Sequence, residues 1–129
     1  MTVPRLEHVN ISVADPERSA GLMTALFGWQ VRWQGPAQGG GRTVHVGTKD
    51  HYLALYSGGD ATVTAEAFAK GAPLNHIGVE VDDLAATEAR VLAAGLRPYG
   101  HAVYEPGRRF YFLDQDGIEY EVVSYAAVA

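Results

Sequence analysis

Apolar and polar residues alternate in the first strand-like segment of the chain. The alternating set is His8, Val9, Asn10, Ile11, Ser12 and Val13. Successive side chains of a strand point to opposite sides, so strict alternation is typical of a strand with one buried face. The pattern therefore predicts a half-buried strand in which His8 points away from the apolar layer.

The apolar spacing changes to that of a helix directly after this strand. Asp15 offers an N-cap side chain, and Pro16 suits the first helical position. The apolar stripe predicted for this helix consists of Leu22, Met23, Leu26 and Phe27. Gly28 follows the stripe and is the expected end of the helix.

The remaining periodicity predicts the same order of elements twice. In the first half, further strands are expected at residues 29–33, 42–46 and 52–56. In the second half, the expected elements are a strand at 77–81, a helix at 83–94, and strands at 96–103, 109–113 and 118–123. Each half is thus βαβββ, which predicts an α+β fold of two modules.

The two modules carry a repeated phrase with a histidine at the same place. Residues 6–15 read LEHVNISVAD, and residues 74–83 read LNHIGVEVDD. His8 and His76 are therefore equivalent, 68 residues apart. A duplicated unit can bring its two imidazoles together about a pseudo-twofold axis as ligands of one metal ion. The repeat therefore favours a shared metal site.

The boundaries of the modules follow from the same repeat. We predict modules at about residues 4–57 and 74–125, joined by a linker at 58–73. At 129 residues the chain is long enough to bury one core, so a single domain spanning residues 1–129 is expected.

Composition excludes several kinds of site. The chain has no cysteine, which removes disulfides, thiolate zinc sites and a cysteine nucleophile. Its formal net charge is −5 and its basic residues do not cluster beyond Arg108-Arg109, so nucleic acid is not an expected partner. No apolar run is long enough for a membrane span, and the first residues lack a signal-peptide pattern. We therefore expect a cytoplasmic protein with no membrane contact.

The closing segment adds a more specific signal. Residues 114–121 read DQDGIEYE. Together with the two βαβββ modules and their histidines, this segment resembles the vicinal oxygen chelate superfamily, which holds glyoxalases, extradiol dioxygenases, epimerases, thiol transferases and bleomycin-type resistance proteins. The family usually has Asp-Pro-x-Gly here, and Gln115 replaces the proline. The resemblance covers nearly the whole chain.

The resemblance implies a cleft and a set of metal ligands. The two modules would form a half-open, eight-stranded, barrel-like cleft around a divalent ion. Carried over by position, the metal ligands would be His8, His76 and Glu121. Glu119 shares the strand face of Glu121 and stays an alternative to it. Glu80 lies about 13 Å along the strand from His76, too far to bind the same ion.

The fourth position of the family pattern distinguishes its subfamilies. Alignment of the last strands of the modules gives Ala54 the place of Glu121, where glyoxalases carry a second glutamate. Glyoxalase-type isomerisation uses two carboxylates as acid and base, and alanine can supply neither. Two histidines and one glutamate instead match the facial triad of non-haem iron(II) sites. We therefore favour Fe²⁺, with Mn²⁺, Ni²⁺, Co²⁺ and Zn²⁺ as further candidates.

Three functions follow from the resemblance. The favoured one is a metal-dependent enzyme with extradiol-dioxygenase-like chemistry on a small molecule that has vicinal oxygens. A glyoxalase-like lyase or isomerase is one alternative, and a resistance-type protein that binds a drug without catalysis is the other. The retained ligand set favours an enzyme, because resistance-type binding proteins typically lack it.

Two residues of the second module are predicted to be catalytic. Phe110-Tyr111 resembles an aromatic-tyrosine pair of extradiol dioxygenases, which carry a histidine shortly upstream, and His101 is the available counterpart. Strand parity predicts that Tyr111 shares the face of Glu121, where its hydroxyl would orient a phenolate oxygen. The alternative for Tyr111 is packing as an interior aromatic residue.

A substrate pocket is predicted on the last strand of the first module. Tyr52 and Tyr56 flank Ala54 on the cavity parity of that strand. With Trp33 and Phe112, they suggest a pocket for an aromatic or flat apolar substrate.

The two remaining histidines are expected to lie outside the site. His45 should face the helix if its strand keeps the parity of its counterpart in the second module. His51 begins a strand on the non-cavity parity and is expected at the surface.

A homodimer is expected because a βαβββ unit leaves strand edges and a concave face that a second copy can cover. Family members of this size commonly pair, some by exchanging halves so that His8 of one chain meets His76 and Glu121 of the other. Phe68, Val122 and Val123 would suit a partly hydrophobic contact.

Overall fold

The structure has the modular order that the sequence predicts. A computed structural model describes residues 3–37, 40–58, 74–104 and 107–126. They belong to two units, Met1–Val63 and Thr64–Ala129. Apart from Gly58, the predicted linker lies outside the described residues, and so does Phe68.

Each unit contains one helix and four strands. The elements of the first unit are β1 His8–Ser12, α1 Pro16–Phe27, β2 Gln30–Pro36, β3 Arg42–Gly47 and β4 Tyr52–Ser57. Those of the second unit are β5 Ile77–Glu80, α2 Leu84–Ala93, β6 Tyr99–Tyr104, β7 Gly107–Leu113 and β8 Glu119–Ser124. Both units are βαβββ, so the predicted α+β fold of two modules is confirmed.

The two sheets share one topology. The first sheet has the strand order β1-β4-β3-β2, and the second has the order β5-β8-β7-β6. In both sheets the first strand of the unit pairs in parallel with the last, and the other neighbours are antiparallel. The helix of each unit makes the long crossover that a parallel pair requires.

The predicted start and end of α1 are confirmed. The Asp15 side chain accepts a hydrogen bond from the Arg18 amide at 3.2 Å, and Gly28 ends the helix with a left-handed φ of 72°. The buried side of the helix differs from the predicted stripe and consists of Pro16, Ser19, Ala20, Met23 and Leu26. Leu22 and Phe27 are only half-buried. Small residues permit close packing on the sheet, which the apolar count alone does not reveal.

The N-terminus of α2 is capped by an aspartate, as the N-terminus of α1 is. The Asp83 side chain accepts from the Ala86 amide at 3.0 Å, as Asp15 does in the first unit. Gly95, with a φ of 82°, follows the C-terminal end. No helix among the described residues is both long and apolar enough to cross a membrane.

Each sheet has one face against its helix and one face turned away, which we call the far face. Alternate residues of β3 and β4, such as Val44, Val46 and Leu55, are buried on the helix side. Arg42 of β3 confirms that side, because it forms an ion pair with Glu17 of α1. The far face of the first sheet carries His8, Asn10, Ser12, Thr43, His45, Tyr52, Ala54 and Tyr56. The far face of the second sheet carries Gly78, Glu80, Arg109, Tyr111, Leu113, Glu119, Glu121 and Val123.

Aromatic residues form the helix-side core of the second unit. Phe110 and Phe112 are 0% exposed, and Phe112 stacks on Tyr120 with ring centroids 5.1 Å apart. The predicted contribution of Phe112 to a substrate pocket is therefore wrong, because its strand parity directs it towards α2. Val122 and Val123 are also buried within the chain, at 0% and 7% exposure, so they are not the apolar dimer contact suggested by the sequence.

Candidate functional site

The strand registers place Ala54 and Glu121 at equivalent positions. Ala54 lies opposite Asn10 of β1, two residues after His8, and Glu121 lies opposite Gly78 of β5, two residues after His76. On the other side, Ala54 pairs with His45 and Glu121 pairs with Tyr111. The sequence alignment of the two halves is thus reproduced by hydrogen-bond register. The first unit has a methyl group where the second unit has a carboxylate.

His76 and Glu121 are brought together on the second sheet. The Nε2 atom of His76 lies 3.0 Å from Oε1 of Glu121. Two ligands at about 2.1 Å from one ion, at a right angle, lie about 3 Å apart, so this spacing suits a shared divalent cation. The Glu121 side chain is only 13% exposed, which fits a ligand held inside the fold rather than a surface carboxylate.

The orientation of His76 also suits a cation beside Nε2. Its Nδ1 atom lies 2.7 Å from the amide oxygen of Asn75, so the Nδ1–H donates to that oxygen. In a neutral ring, Nε2 then directs a lone pair towards Glu121. A lone pair and a carboxylate oxygen at 3.0 Å require a positive charge between them, which a proton or a metal ion supplies.

The equivalent histidine of the first unit has an equivalent partner. The Nδ1 atom of His8 lies 2.9 Å from Oε1 of Glu7, and this hydrogen bond holds the pKa of the Glu7 carboxyl below its usual value. In each module, the residue before the histidine therefore orients the imidazole and leaves Nε2 for another ligand. Glu7 and Asn75 were not predicted from the sequence, although their position directly before each histidine was visible there.

Arg109 holds the second oxygen of Glu121. Its Nη1 atom donates to Oε2 at 2.8 Å, while Oε1 faces His76. The Arg109 side chain is 12% exposed, so the ion pair is largely shielded from water. This contact fixes the carboxylate plane and leaves one oxygen directed at His76. The sequence did not predict this role for Arg109. Arg109 lies on β7 and Glu121 on β8, and the contact depends on how these two strands pair.

His8 lies on the far face of the first sheet, as its alternation predicts. Its ring stacks on Tyr52 with centroids 4.9 Å apart, and its side chain is 43% exposed. His76 and Glu121 belong to the other unit, and no group of three histidine, aspartate or glutamate side chains suited to a metal ion occurs in the described part of the chain. The three-ligand set therefore stays a prediction.

The expectation for His45 is wrong. Its register with Ala54 places it on the far face, where its ring stacks on Tyr52 at 4.5 Å and meets Trp33 at 5.2 Å. Burial lowers the pKa of His45, and the positive charges of His8 and Arg32 add to that effect. The valines on either side of His45 take the helix-side positions, which reverses the parity assumed from the sequence. His51 is exposed, as expected.

Tyr52, Ala54 and Tyr56 share the far face of β4, as predicted. Ala54 is 2% exposed, whereas the two tyrosines are half-buried. The guanidinium carbon of Arg32 lies 4.4 Å from the centre of the Tyr52 ring. The strand therefore presents a polar and aromatic surface beside His8, and its role as a substrate pocket stays a prediction.

His101 does not join the site residues of the second unit. Its Nε2 atom lies 3.0 Å from Glu88 of α2, and its ring stacks on Phe110 on the helix side. The physical reason is a register shift between Tyr99 and Ala102, where Gly100 has a φ of 67°. This bulge turns His101 to the opposite face from Tyr111.

Tyr111 lies beside His76 as its parity predicts. The two rings meet edge to face with centroids 5.8 Å apart. Both residues line an open cavity of about 280 Å³ together with Asn75, Tyr99 and Glu119. The catalytic role of Tyr111 and the alternative of packing as an interior aromatic residue both stay predictions.

Glu119 shares the face of Glu121 but contacts a different edge of the His76 ring. Its Oε1 atom lies 3.9 Å from Nδ1, whereas Glu121 lies beside Nε2. The hydroxyl of Tyr99 donates a hydrogen bond to Oε2 of Glu119. Glu121 is therefore better placed than Glu119 to act as a ligand with His76.

Solved structures with the same fold include both metal-bound and antibiotic-binding proteins. A glyoxylase/bleomycin resistance protein/dioxygenase domain from Frankia sp. EAN1pec is 20% identical, with a TM-score of 0.81 over 95% of this chain and 98% of that one. The fosfomycin resistance protein FosX from Listeria monocytogenes, complexed with Mn(II) and sulfate, is 15% identical, with a TM-score of 0.71 over 98% and 95%. TnmS3, an antibiotic binding protein from Streptomyces sp. CB03234, is 20% identical, with a TM-score of 0.69 over 96% and 98%.

The family assignment rests on the sequence as well as on the fold. No curated protein matches the chain. The sequence model of one family does match, over residues 5–122, which include both βαβββ modules, both equivalent histidines and Glu121. The chain belongs to the Glyoxalase/Bleomycin resistance protein/Dioxygenase superfamily.

Proposed function

We propose that this protein is a divalent-metal-dependent enzyme for a small molecule with two adjacent oxygen atoms. The proposed ligands are His8, His76 and Glu121. The observation that carries the proposal is the 3.0 Å separation of His76 Nε2 and Glu121 Oε1, with the second atom of each group already held by Asn75 and Arg109. The Mn(II) complex of FosX supports the use of a divalent ion on this fold.

Extradiol-dioxygenase-like ring cleavage is the reaction that we favour. The strand register gives Ala54 the position equivalent to Glu121, so the first module offers no carboxylate at the place where glyoxalase-type isomerisation uses its second one. One carboxylate and two imidazoles suit Fe²⁺ best, with Mn²⁺, Ni²⁺, Co²⁺ and Zn²⁺ as further candidates. When bound, such an ion would supply Lewis acidity and a template for two vicinal oxygens.

Tyr111 and Arg109 would orient the substrate and the metal ligand Glu121. Tyr111 lies beside His76, so its phenol would donate a hydrogen bond to a substrate oxygen and orient it. Arg109 would keep Glu121 in one orientation through turnover, because it occupies the second carboxylate oxygen. His101 has no part in this proposal, since it is paired with Glu88 on the other face.

The Fe²⁺-loaded protein should consume oxygen with a catechol and release a ring-opened product. Tyr111→Phe should lower kcat by about 100-fold, the usual scale for a positioned proton donor. The matched control is Tyr125→Phe, a half-exposed tyrosine outside the cavity, which should leave kcat unchanged. Isomerisation of a hemithioacetal at a comparable rate, without oxygen uptake from catechols, would replace the proposed reaction by a glyoxalase-like one.

A binding function without catalysis is the second candidate. The neighbouring rings of Trp33, His45, Tyr52 and His8 give the first sheet an aromatic surface that would suit a flat ligand. TnmS3 supports this candidate as an antibiotic binding protein of the same fold. Binding that is equally tight with and without metal would favour it over the enzyme.

We also propose that the protein is a homodimer. The edge strand β2 is exposed along almost its whole length and carries Val31 and Trp33 at 45% and 49% exposure. Unpaired edges of this kind invite a second chain. Sedimentation at micromolar concentration should give twice the chain mass, and a monomer would contradict the proposal. Mixing His8→Ala and Glu121→Ala chains should restore metal binding if each site uses ligands from both chains.

A further inference from the structure

The ring of Tyr111 lies directly against Gly100 of the neighbouring strand β6. A Cβ atom at Gly100 would lie 2.9 Å from Cδ1 of Tyr111, and the three atoms nearest to it would all belong to the Tyr111 ring. Carbon atoms that are not bonded to each other pack at about 3.5–4.0 Å, so any side chain at residue 100 would collide with this ring. The backbone favours glycine as well, because Gly100 has a φ of 67°.

The first unit forms the same strand order without a glycine at this place. Gln34 is the equivalent residue, because β2 and β6 pair with β3 and β7 at corresponding positions. The pairing of β2 is regular after Trp33, whereas β6 has one extra residue in the stretch that follows Tyr99. Bulges of this kind often redirect a side chain beside a functional site. The bulge at Gly100 is therefore specific to the second unit and is not required by the strand order.

The contact with Gly100 determines how much space remains beside His76. In the strand order β5-β8-β7-β6, Gly100 lies on one side of Tyr111, and His76, which directly precedes β5, lies on the other. The rings of Tyr111 and His76 are 5.8 Å apart and border the cavity of about 280 Å³. Ligand pockets usually have volumes of roughly 300 Å³ or more, so this cavity has little room to spare. A ring that is pushed away from Gly100 would move towards His76 and reduce the space for a ligand.

We propose that Gly100 is a positioning residue, which holds the Tyr111 ring against β6 and so keeps the space beside His76 open for a flat ring. The inference rests on the proposed function, in which a substrate with vicinal oxygens binds at His76 and Glu121. It adds the residue that sets the room available to the ring of that substrate. Gly100 acts through Tyr111 and does not itself contact the substrate.

Gly100→Ala should weaken the binding of nitrocatechol to the Fe²⁺-loaded protein about tenfold, since a methyl group forced into a packed contact displaces its neighbours at a cost of this order. The affinity for Mn²⁺ should stay the same, because the atoms nearest to the added methyl group belong to Tyr111 and not to a proposed ligand. Gly95→Ala is the matched control. Gly95 has a φ of 82°, so alanine brings similar backbone strain, but its methyl group would meet nothing within 4 Å. This control should keep both affinities.

A double-mutant cycle tests whether Gly100 acts through Tyr111. Tyr111→Ala removes the ring with which the added methyl group collides, so Tyr111→Ala and the double variant Gly100→Ala/Tyr111→Ala should bind nitrocatechol equally. Gly100→Asn adds a Cβ atom with less backbone strain, because asparagine tolerates a positive φ, and it should weaken binding as alanine does. Wild-type affinity in Gly100→Ala, or the same loss with and without the Tyr111 ring, would overturn the inference.

Titration of the metal-free protein with phenol separates the inference from the metal proposal. Phenol is a flat ring with one oxygen, so it reports on the space in the cavity and not on chelation. Its affinity, followed by the NMR signals of His76 and Tyr99, should fall in Gly100→Ala and stay at the wild-type value in Gly95→Ala. Equal phenol affinities in the two variants would overturn the inference. Failure of nitrocatechol to bind the wild-type protein, with the phenol difference intact, would instead count against the proposed function.

Discussion

We expect the wild-type protein to bind about one divalent ion per chain and the His76→Ala variant to lose it. The loss removes the Nε2 atom beside Glu121 and leaves the carboxylate paired with Arg109 alone. Losing an outer partner of a metal ligand typically costs up to about 100-fold in affinity, so losing the ligand itself should cost more. Calorimetric titration with Mn²⁺, and with Fe²⁺ under nitrogen, measures the change.

His51→Ala is the control for this variant. His51 is exposed and its ring meets only the edge of Trp29 among the ring contacts of the described residues, so its removal should leave metal affinity unchanged. Equal affinity in the wild type and in His76→Ala would place any bound metal elsewhere on the chain.

The Phe112→Ala variant should lower the free energy of unfolding by about 3–5 kcal/mol. Phe112 is 0% exposed and lies 5.1 Å from the Tyr120 ring, so alanine would leave a cavity in the helix-side core of the second unit. Urea unfolding followed by circular dichroism gives the free energy. Leu113→Ala is the matched control, since Leu113 is the next residue, faces the other side and is 45% exposed.

The leucine control should lose less than about 1 kcal/mol, as substitutions at exposed positions usually do. A similar loss in both variants would contradict the assignment of Phe112 to the helix side of β7 and of Leu113 to its far face. That parity also directs Tyr111 towards His76, so the stability measurement bears on the site as well as on the core.

The repeat was the part of the fold that sequence patterns could predict. Alternating apolar residues and capping aspartates act locally, so Asp15 and Asp83 began their helices where expected. The equivalence of Ala54 and Glu121 was also visible, because both lie on the last strand of a module. Both positions then appear at the same place in the hydrogen-bond register.

Interactions that depend on register between distant strands could not be predicted in this way. His101 was assigned to the site by its resemblance to the upstream histidine of extradiol dioxygenases, whereas the bulge at Gly100 turns its side chain to the helix side. The contacts of Tyr99 with Glu119 and of Arg109 with Glu121 join residues 20 and 12 positions apart. No local pattern specifies which of several far-face residues will meet.

The central proposal is that a divalent ion at His76 and Glu121 binds two vicinal oxygens of a small molecule. The most direct test is a titration of the Fe²⁺-loaded protein with nitrocatechol under nitrogen, followed by absorbance. We expect saturation at about one equivalent per chain, an absorbance change that requires the metal, and its loss in Glu121→Ala. An absorbance change that is the same without metal, or that persists in Glu121→Ala, would contradict the claim.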